Sequence, residues 1–117
     1  GVPRGAEFMG ADVTYVPLDA NMDFDLDAIE AAVTEDTTAV YICNPNNPTG
    51  RELDPAKLNA FAKRVSQKTQ VFIDEAYIEM SAGYPGNVQS SLAAEGYNVV
   101  ICRTFSKIHA MAGQRLG

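Results

Sequence analysis

Three short apolar runs limit what this chain folds into. Residues 39–43 (Ala-Val-Tyr-Ile-Cys), 71–73 (Val-Phe-Ile) and 99–102 (Val-Val-Ile-Cys) are continuous rather than alternating. Such runs suit strands of a parallel sheet covered on both faces. Helical patterns lie between them. Asp54 followed by Pro55 is a strong helix start, and Leu58, Phe61, Ala62 and Val65 then fall on one apolar face. A shorter helix is predicted from a cap at Ser90 or Ser91 through Leu92 to Glu95, ended by Gly96. Strands alternating with helices imply crossover connections, hence an α/β fold with a mainly parallel sheet and flanking helices. Each run ends in a polar loop, at residues 44–50, 74–77 and 104–107. Parallel strands would project all three loops from one edge, the edge at which ligands bind in such sheets.

Upstream, residues 1–9 read as a helix closed by Gly10. Residues 12–18 read as a strand through Val13 and Tyr15, with Pro17 at its end. Asp25 is placed to cap a helix with apolar residues at Leu26, Ile29, Ala32 and Val33. The chain has 117 residues, 46% hydrophobic and 21% charged, which is globular composition. Both ends look cut, so residues 1–117 are expected to be one partial domain. Nine basic against 15 acidic side chains give a net charge of −6, which argues against a nucleic-acid backbone as partner. No apolar run approaches the ~18 residues of a membrane span. Cys43 and Cys102 sit at strand ends and are expected to act as small buried hydrophobes; neither a disulfide nor a metal site has support in the spacing.

The chemistry-bearing residues fall in the three loops. Lys107 lies just past a buried strand, where partial desolvation would free its amine for attack on a carbonyl. Thr104, Ser106 and Arg115 suit a phosphate beside it. Each residue also has a plainer reading. Lys107 alone reads as a surface lysine, Asp74 as a strand-end cap and Asn47 as a turn residue. Tyr77 reads as half-buried packing, and Arg115 as one half of a surface ion pair. Glu75 is expected to face solvent or pair locally. His109 is expected to pack or to act from behind the site, and Met80 and Met111 to fill gaps.

The three stretches NPNNPTG (44–50), VFIDEAY (71–77) and RTFSKIHAMAGQRLG (103–117), in this order and each following a strand run, resemble the class I/II, fold-type I aminotransferases, with histidinol-phosphate aminotransferases as the nearest look. The resemblance covers the whole chain as the central part of that family's large domain. It implies pyridoxal 5'-phosphate as cofactor, with Lys107 forming its Schiff base and then moving the proton. It implies Asp74 facing the pyridine nitrogen, Asn47 and Tyr77 on the ring oxygen, and Thr104, Ser106 and Arg115 on the phosphate. Lys107, Asp74 and Tyr77 are thus the catalytic candidates. The implied reaction moves an amino group between an amino acid or amino-alcohol phosphate and a 2-oxo acid, in a cytoplasmic homodimer. Two alternatives stay open: another reaction of the same fold and cofactor, such as decarboxylation or condensation, which the same lysine and acid would serve, and a non-catalytic aminotransferase-like domain of a transcription regulator. The family's upstream phosphate turn, ring-stacking aromatic and small domain with its substrate arginine have no match here.

Overall fold

The computed structural model describes residues 2–115 and 117. Its elements are α1 (Val2–Phe8), α2 (Leu26–Ala32), β1 (Ala39–Cys43), α3 (Pro55–Val65), β2 (Gln70–Asp74), α4 (Ser90–Ala94) and β3 (Val99–Cys102), with 3₁₀ turns at Ile78–Met80 and Ala112–Gln114. The sheet is parallel in the order β1-β2-β3. Helix α3 connects the first pair of strands and α4 the second.

Two helices start as their sequences require. The Asp54 side chain accepts from the Lys57 amide at 3.0 Å with Pro55 in the first turn of α3, and Asp25 accepts from the Ala28 amide at 3.0 Å. Helix α4 starts differently from expectation. Its cap residue is Gln89 rather than a serine, and no side chain caps it locally. The Gln89 amide is instead held by the Glu75 carboxylate at 2.8 Å. Gly10 follows α1 with φ 92°, as its closing position demands. Gly1, also read as helical, lies outside the described residues.

One face of the sheet is dry. Val40, Ile42, Val71, Ile73 and Val99 pack with Ile29 of α2, Leu58, Phe61, Ala62 and Val65 of α3, and Leu92 of α4 in one cluster. Phe61, Leu58, Ile42, Ile73 and Leu92 have no exposed surface. Burial of side chains this size is worth about 1.5–3 kcal/mol each. Two successive crossovers of the same hand carry α3 and α4 to the same side. The other face, with Tyr41, Phe72 and Val100, is only half-buried. The sheet therefore departs from the two-sided covering that its continuous apolar runs predict.

Residues 12–18 are not a strand. Only Leu18 pairs, in an isolated antiparallel bridge with Phe24. A strand needs a neighbour's ladder, and Pro17 removes one donor from this segment. Tyr15 is 61% exposed while Val16 touches the core, so the alternation points the wrong way. No helix among the described residues is long and apolar enough to cross a membrane.

Candidate active site

The register brings the ends of the three strands level. Cys43 pairs with Asp74 and Asp74 with Cys102, so Asp74 stands in the middle of a row at the carboxyl edge. Backbone bonds continue the ladder one step further, from the Asn44 amide to the Asp74 carbonyl at 2.9 Å and from the Glu75 amide to the Cys102 carbonyl at 2.8 Å. All three polar loops leave from this edge. The cysteines are half-buried and free. Two strand spacings, ~9.6 Å, separate them, beyond the ~7 Å that a disulfide spans. Burial, reinforced by the Asp74 charge, pushes both thiols above their ordinary pKa.

Asp74 is held on both oxygens. Oδ1 accepts from the Ala76 amide at 3.0 Å and Oδ2 from the Tyr41 hydroxyl at 2.6 Å. Tyr41 is in turn pushed well above the ordinary phenol range, by burial first and the Asp74 hydrogen bond second, so it remains a donor. Asn47 reaches across from the first loop, its Nδ2 donating to the Tyr77 hydroxyl at 3.1 Å. The Lys107 Nζ lies 5.2 Å from the centroid of the Tyr77 ring. Asn47, Tyr77 and Lys107 thus form one connected group, with Asp74 three residues before Tyr77.

The phosphate candidates lie in the third loop. Thr104 Oγ1 accepts from the Ser106 amide at 3.0 Å, folding the loop back on itself. Arg115 adopts a left-handed conformation, φ 52°, and donates from Nη1 to the Ala112 carbonyl at 2.8 Å, so it is braced on its own turn. At Gly117 an added Cβ would lie 3.1 Å from the Arg103 carbonyl oxygen, so a side chain there would require the backbone to give by a few tenths of an ångström.

Several placements differ from expectation. Lys107 is exposed rather than desolvated at the mouth of the strand. Glu75, expected to face solvent or pair locally, instead has a side chain only 1% exposed and forms an ion pair with the distant Arg103, Nη2 to Oε2 at 3.0 Å. With the Gln89 amide on its other oxygen, Glu75 ties the end of β2 to the end of β3 and the start of α4. Met80 is exposed rather than gap-filling. His109 packs on Phe105, ring centroids 5.6 Å apart, with Glu79 3.8 Å away. Asn44-Pro45 and Asn47-Pro48 are both cis.

Tyr41 and Glu75 are the contributors that reading the sequence alone misses. A phenol inside an apolar strand run requires a partner for its hydroxyl. Parallel pairing places that hydroxyl one diagonal step from Asp74. An acid directly after Asp74, at the mouth of a buried strand, likewise requires a cation, and Arg103 follows β3 at the matching position.

The donor set suits a phosphorylated pyridine aldehyde. It offers a carboxylate for a ring nitrogen, an amide and a phenol for a ring oxygen, and an amine for an aldehyde. The third loop adds two hydroxyls and a guanidinium, groups of the kind that bind a phosphate. A family profile described as aminotransferase class I and II matches residues 1–117. The chain is 43% identical over 114 residues to a histidinol-phosphate aminotransferase from Listeria innocua, covering 97% of the chain and 31% of that protein. It is 38% identical over 115 residues to an aromatic amino acid aminotransferase from Corynebacterium glutamicum, covering 98% of the chain and 34% of that protein. The solved histidinol-phosphate aminotransferase from Clostridium acetobutylicum superposes with a TM-score of 0.85 at 33% identity, over 97% of the chain and 34% of its own length. The chain spans about a third of the length of these relatives.

Proposed function

Since the chain belongs to the class I and II aminotransferase family, we propose that it forms the central part of the large domain of a pyridoxal-phosphate-dependent aminotransferase. The intact enzyme would move an amino group between an amino acid or amino-alcohol phosphate and a 2-oxo acid, as a cytoplasmic homodimer. Relatives named for histidinol phosphate and for aromatic amino acids support an amino donor of that range. The observation that carries the reading is the meeting of Asn47, Tyr77 and Lys107 beside Asp74 at one sheet edge.

Bound pyridoxal phosphate supplies an electron sink for the pair released when the substrate's Cα–H bond breaks. The chain's own residues do the rest. Lys107 anchors the cofactor through its ε-amine and, once free, takes and returns the migrating proton. Asp74 keeps a proton on the ring nitrogen by presenting a negative charge to it. Asn47 and Tyr77 donate to the ring oxygen and fix the ring's rotation. Thr104, Ser106 and Arg115 hold the phosphate, with the backbone at Gly117 closing the cradle.

Borohydride treatment of the full-length protein tests the anchor. Reduction should leave the cofactor covalently bound to a peptide containing Lys107. Lys107→Ala should lose both the visible absorbance band and nearly all turnover. A label recovered on Lys57, Lys63 or Lys68 would overturn the assignment.

A further inference from the structure

We propose that Tyr41 is a positioning residue for Asp74, fixing through its hydroxyl the plane of the carboxylate that faces the cofactor's ring nitrogen. The proposal rests on the role of Asp74 in the proposed function. Tyr41 pairs with Phe72, two residues before Asp74 on the neighbouring strand. Diagonal neighbours of this kind lie ~7–8 Å apart, within reach of a tyrosine but not of a short polar side chain. The observed 2.6 Å bond uses that reach fully.

The two oxygens of Asp74 are gripped from different elements, Oδ2 by Tyr41 on β1 and Oδ1 by the Ala76 amide in the loop after β2. Rotating the carboxylate breaks both bonds at once. Each oxygen still has a free lone pair for a further donor. The other titratable groups beside Asp74 are Cys43 on β1 and Cys102 on β3, both disfavoured as thiolates. Among the described residues, the strong side-chain donor that meets the carboxylate is therefore the Tyr41 phenol. Phenylalanine would fill the same half-buried space without the cost of an O–H that needs a partner.

The test uses full-length Tyr41→Phe loaded with ¹⁵N-labelled pyridoxal phosphate. We expect cofactor affinity to fall on the order of tenfold, because a carboxylate no longer held in its plane must be ordered when the ring nitrogen binds. The ring-nitrogen resonance should move toward its unprotonated position, and the melting temperature of the cofactor-free protein should fall only by the few degrees that one lost hydrogen bond costs. In an Asp74→Ala background, Tyr41→Phe should change affinity by less than about twofold. An unmoved nitrogen resonance, or an equal affinity loss with and without Asp74, would overturn the proposal. Asp74→Asn run alongside separates the two readings. If it too leaves the resonance and affinity unchanged, the role of Asp74 itself is wrong; if it changes both while Tyr41→Phe does not, only the role of Tyr41 is wrong. Should Tyr41→Phe not fold, 3-fluorotyrosine at position 41 keeps the hydroxyl as a stronger donor, and the same resonance decides. A shift supports the positioning role and an unmoved signal rejects it.

Discussion

In the proposed function Asp74 acts through its charge more than through its shape. Asp74→Asn keeps the size and one acceptor oxygen but cannot balance a protonated ring nitrogen. The full-length variant should keep some cofactor and lose most proton-abstraction activity, while Asp74→Glu should lose less; steady-state rates on an amino donor check both. Wild-type turnover by the Asn variant would reduce Asp74 to a structural cap. Residues that announce themselves by type, such as Lys107 and Asp74, are legible in the sequence. Residues defined by what they reach are not. Tyr41 and Phe72 are both aromatic members of apolar runs, and only the register shows that one meets Asp74.

Elements are legible where a cap and a periodic face coincide, as in α3. They are not legible where tertiary pairing decides, as at residues 12–18, or where a distant group does the capping, as at α4. Glu75 is that distant group, and it joins three elements through the Gln89 amide and the Arg103 guanidinium. Removing its charge leaves Arg103 without a counter-ion and the α4 amide with a weaker acceptor. Glu75→Ala should destabilise the protein by roughly 1–3 kcal/mol, below the ~3–5 kcal/mol of a fully buried pair because Arg103 is partly exposed and stays solvated. Denaturant unfolding measures it. A change below about 0.5 kcal/mol, the level of an ordinary surface substitution, would show that the pair carries nothing.

At the scale of the whole molecule, two ion pairs bind the segment around α2 to the parallel unit. Arg51 grips Asp23 at 2.8 Å and Arg64 grips Glu30 at 3.1 Å. Hydrogen bonds from these arginines hold both carboxyls below their ordinary pKa. Groups depressed in the folded state stabilise it above their unfolded values, about 3.9 for Asp and 4.3 for Glu, and lose that contribution as pH falls through the folded ones. Thermal unfolding followed from pH 7 downward should therefore steepen below about pH 4. The Arg51→Gln, Arg64→Gln double variant should show a shallower fall, and equal slopes would deny the pairs this role. The sheet itself divides labour residue by residue. Val40, Ile42, Val71 and Ile73 face the helices, whereas Tyr41, Phe72 and Asp74 face the other way. Neighbours along one strand thus answer to separate demands, so odd and even positions are free to drift independently. A lineage can retune its chemistry on one side without reopening the packing on the other.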